Sequence, residues 1–307
     1  MTNETRTIWQ DIEIRLPADW EMTRFGRRYE QGACTFSDAL HERLQLAWQR
    51  TASCPDLARL LSDLKAKESA AAGKAGSVHM TELAGPDGWI GFALRRDRTT
   101  TTRAARYFED AATLIEVTLS WQGRRDKTLE EELLGHVRVL CPSDWRAWRA
   151  FGIDAEVPTA LHLAECRCLP GNAELVFRSA RPHPSVTIRR LGFPSAWLKQ
   201  KLSDWLKTRI PEPFTATARR AETVQPGHEL VHITSVRPKG HLGKITRKQT
   251  WRHDWASLCP REERVYHVSA ETDTANERPA RLRCACGALL PGHAGGRRID
   301  QGRPRRR

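Results

Sequence analysis

The feature that most restricts what this chain can fold into is an internal echo. The stretch from Ile12 to Arg50 is answered, just after Cys141, by a second segment carrying the same succession of signals. In the first copy Ile12, Ile14 and Leu16 alternate with Glu13 and Arg15, and Leu44, Leu46 and Trp48 alternate with Arg43, Gln45 and Gln49. That period of two belongs to strands with one wet face. Gly26 and Gly32 punctuate turns between them, and Pro17-Ala18-Asp19-Trp20 combines a fixed φ with an Asp that bonds its own backbone, a turn in which the Trp folds back as core.

Further along, Ser53-Cys54-Pro55 offers a helix start, and Leu57, Leu60, Leu61 and Leu64 give one apolar face at helical spacing. The small residues of Ser69 to Ser77 read as an exposed connection. Trp89 to Leu94 and Thr113 to Trp121 read as strands, and Thr128 to Glu131 has the form of a capping box before Leu129, Leu133, Leu134, Val137 and Leu140. In the second copy Pro142-Ser143-Asp144-Trp145 echoes the first turn, and Phe151-Gly152 echoes Phe25-Gly26. Three strand-like stretches follow, at Leu161/Leu163, Leu175/Phe177 and Val186/Ile188, then a helix from Ser195 with Leu198, Leu202, Trp205 and Leu206 inward, ended by Pro211. Leu230 to Val236 and Val265 to Ala270 take the places of the later strands. The offset is 125 residues at the turn and about 140 from the helix onward, which puts an insertion in the early strands of the second copy.

These elements predict an α+β protein of two tandem antiparallel-sheet units with packed helices, each in the order β-β-β-α-β-β-α. The expected bounds are residues 1–141 for the first unit, 142–285 for the second, whose last helix near Arg278 to Leu290 is degenerate, and 286–307 for a disordered basic tail. That element order, with the Pro-x-Asp-Trp turn, resembles the Mog1/PsbP-like fold over most of residues 9–285. The resemblance implies a binding or assembly role, because the best-known proteins of that fold act in that way, and it implies no ligand.

No run of about eighteen apolar residues is present and Met1 to Gln10 has no basic-then-apolar pattern, so neither a membrane partner nor a signal peptide is expected and the protein reads as cytoplasmic. Eight unevenly spaced cysteines fit reduced, mostly buried thiols better than a disulfide framework. The net charge of +13 suggests a polyanion, yet six arginines fall between Arg297 and Arg307 alone.

Three motifs carry chemistry. His228-Glu229-Leu230-Val231-His232 satisfies H-E-x-x-H, which on a helix would hold Zn²⁺ and activate water. Pro226-Gly227 before it and β-branched residues after it favour a strand, which separates the two histidines by about 13 Å and leaves them on a wet face. Cys284-Ala285-Cys286, with Cys259 and with His267 and His293 as further donors, offers a structural zinc site. Lys239, Lys244, Arg247, Lys248, Trp251 and Arg252 interleave basic and aromatic groups in a segment suited to phosphates and a stacked base. There is no dinucleotide fingerprint, Walker loop, nucleophile elbow or kinase signature. The preferred expectation is therefore a non-catalytic interaction or scaffold protein with a protein partner. Nucleic-acid binding through the basic segment and tail is the first rival, and a zinc hydrolase through His228, Glu229 and His232 is the second.

Overall fold

In a computed structural model of the chain, residues 4–72, 79–83, 85–86, 88–142, 144–180, 184–225, 228–238, 249–275 and 280–284 are described. Strands β1 (Glu4–Trp9) and β2 (Ile12–Pro17) form a hairpin. Its turn residues Gln10 and Asp11 both adopt left-handed backbone (φ 52° and 64°), the turn whose twist matches right-twisted strands. Next come β3 (Glu21–Phe25), β4 (Gln31–Ser37) and β5 (Glu42–Arg50), then helix α1 (Leu57–Ala72). After these follow β6 (His79–Glu82), β7 (Ile90–Arg96), β8 (Thr99–Phe108), β9 (Thr113–Gln122), helix α2 (Lys127–His136) and the short β10 (Arg138–Val139).

From Trp145 the order begins again. β11 (Trp145–Ala150) and β12 (Ile153–Pro158) turn through Phe151 and Gly152, again both left-handed (φ 55° and 71°). Glycine suits the left-handed Gly152, and a Cβ there would lie 2.5 Å from the flexible end of the Arg190 side chain. β13 (His162–Leu169), β14 (Asn172–Arg178) and β15 (Ser185–Gly192) precede two short helices, α3 (Pro194–Trp197) and α4 (Leu202–Lys207). β16 (Thr215–Gln225), β17 (His228–Pro238), β18 (Gln249–Cys259), β19 (Arg264–Thr272) and β20 (Arg281–Arg283) follow as the last elements among the described residues.

Two seven-stranded antiparallel sheets result, ordered β3-β4-β5-β9-β8-β7-β6 and β13-β14-β15-β19-β18-β17-β16, so the second repeats the first ten strands later. A six-stranded sheet, β10-β2-β1-β11-β12-β20, takes three strands from each half and joins them where Ile8 lies opposite Arg149. The segments 1–141 and 142–285 therefore share one sheet. Its apolar face, with Ile12, Ile14, Leu16, Ile153, Ala155 and Val157, belongs to one continuous core with residues of both larger sheets, among them Trp48, Ile115, Trp148 and Phe177. Ion pairs line its other face: Arg6 donates to Glu13 at 2.7 and 2.6 Å, and Arg281 to Glu156 at 3.2 Å.

The α+β expectation is corrected. Strand makes up 57% of the described residues and helix only 15%. Segments without clear alternation are strands, including Thr99–Phe108 with its run of Thr, and β1 and β11, which meet at the central seam. Helices do not form a layer for each unit. α1 leans on the first sheet largely through ion pairs, Glu68 holding Arg96 at 2.9 Å and Arg103 at 2.7 Å. α4 buries Leu202, Trp205 and Leu206 on Val231, Ile233, Ala256 and Val265. The α2 N-cap is Asp126, whose side chain accepts from the Leu129 amide, rather than Thr128. In the second half β20 occupies part of the segment expected to be a degenerate helix.

The correspondence between halves is also corrected. The counterpart of Pro17 is Pro158 and not Pro142: Trp20 N donates to Pro17 O at 3.0 Å, and Leu161 N to Pro158 O at 2.9 Å. Ile12–Pro17 and Ile153–Pro158 thus match at an offset of 141, the same offset that relates the two left-handed turns. No insertion in the early strands is needed. Residues 286–307 and the expected disordered tail lie outside the described residues. Among the described residues no helix is long and apolar enough to cross a membrane.

Candidate metal centre

The Pro-Gly signal and the β-branched run do produce a strand. β17 starts at His228, and Glu229 pairs opposite Leu258 of β18, so the same register carries His228 opposite Cys259, the last residue of that strand. The helix that H-E-x-x-H catalysis needs is not formed, and Glu229 is exposed. The two histidines separate in role as well as in distance. His232 is half-buried and stacks on Trp255 (centroids 4.8 Å, planes 9° apart), and Trp255 stacks on His253 (5.5 Å, 18°).

His228 is not on a wet face, as alternation suggested, but 4% exposed. A third group meets it and Cys259. β20 pairs with β12, Arg283 opposite Asp154, and the next residue, Cys284, leaves the central sheet toward the end of β17. Its Sγ lies 3.9 Å from His228 Nε2, and one ligand atom from each of His228, Cys259 and Cys284 falls within 4.8 Å of the other two. All three residues are buried. Around a tetrahedral zinc ion, sulfur and nitrogen ligands stand about 3.6 Å apart and two sulfurs about 3.8 Å apart, so the trio is close to a coordinating arrangement. In this structure Cys284 takes part in a disulfide, and the ligand set applies to its reduced form.

The surroundings fit a cation. Cys259 Sγ is 3.8 Å from Glu262 Oε1, and Glu262 Oε2 accepts a 2.6 Å hydrogen bond from Tyr266 Oη. Burial, with the Glu262 carboxylate beside it, pushes the Tyr266 hydroxyl well above its ordinary value, so Tyr266 remains a donor. It also reaches Gly152 O at 3.4 Å, which ties the site to the central hairpin.

The other sequence candidates are dispersed. His267 lies on the α4 face of its sheet, where its ring meets Trp205 edge-on and its Nε2 is 3.2 Å from Asp254 Oδ1. Burial lowers the pKa of His267, so the neutral ring donates to Asp254. Burial alone would raise Asp254, but the His267 hydrogen bond and the Arg252 charge overcome it and hold the carboxylate below its usual range. Arg252 is bound to Asp254 through two nitrogens, at 2.8 and 3.0 Å, and to Glu271 at 3.3 Å. Its guanidinium is thus committed to carboxylates rather than turned toward phosphates. Trp251 is half-buried in β18. Lys239, Lys244, Arg247, Lys248, Cys286 and His293 lie outside the described residues. The expectation of reduced, mostly buried thiols is corrected: Cys284 is disulfide-bonded, and of the other described cysteines Cys34 and Cys259 are buried, Cys166 is half-buried, and Cys54, Cys141 and Cys168 are exposed.

No protein-family model matches this chain, and no curated protein matches it either.

Proposed function

We propose that this is a non-catalytic interaction protein of the cytoplasm whose second half is fastened by a structural zinc ion on Cys259, Cys284 and His228. The observation that carries the reading is the convergence of these three buried donors from two different sheets. The trio supplies three protein ligands, and a fourth from the chain would close the set in the manner of a structural site, whereas catalytic zinc keeps that position open to substrate. Cys286, two residues past Cys284 in the sequence, is the candidate the reading puts forward for that fourth ligand. A reducing compartment keeps such sulfurs as thiolates. The exposed Glu229 and the stacked His232 stand apart from the trio, which argues against a hydrolytic role for H-E-x-x-H.

Elemental analysis of the full chain purified under reducing conditions tests the reading. About one zinc per chain is expected, lost in Cys259→Ser and in His228→Ala and retained in His232→Ala. Metal-free reduced protein, or zinc that survives both of the first two substitutions, would overturn it.

A further inference from the structure

A second, independent site lies where the halves meet. The loop after β3 (Arg27 to Glu30), the β1–β2 turn, β11 and the start of β13 surround an open cavity of about 430 Å³. Arg146 forms part of its wall although its side chain is only 6% exposed. Its Nε is held by Asp11, at 3.0 Å from Oδ1 and 3.1 Å from Oδ2, and its guanidinium lies 4.2 Å over the Tyr29 ring. Arg50 packs on the same ring at 3.8 Å and approaches Asp11 at 3.7 Å. One buried carboxylate thus serves two guanidinium groups, and the Arg146 Nη groups form no hydrogen bond among the described residues.

The rim adds charge of the same sign. Arg27 and Arg28 line the cavity against a single carboxylate, Glu30, and His162 completes the far side. Arg27 donates to Ala164 O at 3.1 Å, and Gln10 Nε2 donates to Arg27 O at 2.8 Å, so the first half's loop is pinned across the second half's strand. A buried guanidinium fork with open donors, backed by a fixed aromatic ring and flanked by two more arginines, is suited to a planar or tetrahedral oxyanion.

We infer that this cavity binds a phosphate group, carried either by inorganic phosphate or by a small phosphate monoester, with Arg146 as the fork and Arg28 and His162 as rim contacts. The excess of two positive charges among its lining arginines and Glu30 matches a dianion better than a single carboxylate.

Titration calorimetry of the full chain with inorganic phosphate, at ionic strength held constant with sodium chloride, tests this, with glycerol phosphate and succinate as parallel arms. Saturable phosphate binding is expected, weakened about tenfold by Arg146→Lys, which keeps the charge beside Asp11 but loses the fork. Arg28→Gln, at an exposed residue that cannot threaten the fold, is expected to weaken it about threefold. Tighter binding of glycerol phosphate than of phosphate identifies the monoester as the source, and the reverse identifies the free ion. Heats no larger than those of chloride, succinate binding as tightly as phosphate, or affinity unchanged in Arg28→Gln and Arg146→Lys would overturn the assignment.

Discussion

At the end of β8, Phe108 packs edge-on against Trp89 with ring centroids 6.4 Å apart, while at the end of β18 Cys259 lies beside His228 and Cys284. These are the same place in the two seven-stranded sheets. Phe108 pairs opposite Thr113 and Cys259 opposite Arg264, and the turns that follow close on the left-handed residues Ala112 and Glu263. Cys284 also has its counterpart: Val139 ends β10 opposite Ile12, and the register of β20 carries Cys284 opposite Ile153. One corner is filled by apolar side chains and gains its stability from burial as soon as the chain folds. The other buries two sulfurs and an imidazole, and under the zinc proposal part of its stability depends on the ion.

The largest effects should come from emptying either corner. Trp89→Ala removes a buried ring and its 3.1 Å hydrogen bond to Leu134 O, and should cost about 4 kcal/mol in urea unfolding whether or not a chelator is present. Stripping zinc from the reduced wild type should cost a similar amount, about 4 kcal/mol if the ion is normally near a thousandfold above its Kd, with amide exchange rising first along β17 and β18. If chelation loosened β7 and β8 equally, the contrast between the corners would be broken.

The faces under the helices differ in the same way. Asp254→Asn leaves Arg252 and His267 without their buried carboxylate and should cost about 3 kcal/mol. Glu68→Gln, at the helix-borne carboxylate serving the first sheet, should cost about 1 kcal/mol, because Arg96 and Arg103 remain partly solvated. Equal losses would mean that the short α4 shields its face no better than the ion-paired α1.

Acid should also distinguish the halves. Burial depresses His267 and His253, so below about pH 6.5 the unfolded chain takes up protons that the folded one refuses. Stability should fall as pH drops from there, at most about 1.4 kcal/mol per pH unit for each histidine. The depressed Asp254 adds a loss only below about pH 4. The histidine loss belongs to the second sheet, whereas the depressed Asp38 beside β4 gives the first sheet its own loss below about pH 4, so exchange measured at about pH 5.5 should rise in the second sheet before it rises in the first. The smallest effect is expected at Glu229→Gln, an exposed residue whose loss should leave zinc content and urea midpoint unchanged.

Where one face is wet, the sequence was legible. Ile12–Pro17 and Thr113–Gln122 alternate and are strands, and Leu57, Leu60, Leu61 and Leu64 do mark a helix. Alternation failed where both faces are covered. β17 packs Val231 and Ile233 under α4 and turns His228 inward on the opposite side, so no polar face marks which histidine is buried. Cys259 and Cys284 are visible in the sequence as candidate ligands, but His228 stands inside a protease pattern that pairs it with His232. The signal that finds it is register, because two strand ends that face each other bring a histidine opposite a cysteine. Pro-x-Asp-Trp recurs by composition and points to the wrong register between the halves, whereas paired left-handed residues followed by Ile-acidic-x-x-aliphatic-Pro mark the true correspondence.

The seam at Ile8 and Arg149 has a consequence for dissection. Cutting the chain after Cys141 would strip β1 of its neighbour and leave an open row of amides and carbonyls beside an uncovered apolar face. Such a fragment would find in a twin of itself a substitute for the lost half, β1 against β1, and sediment as a two-fold dimer, so that the intact molecule is in effect a dimer written on one chain.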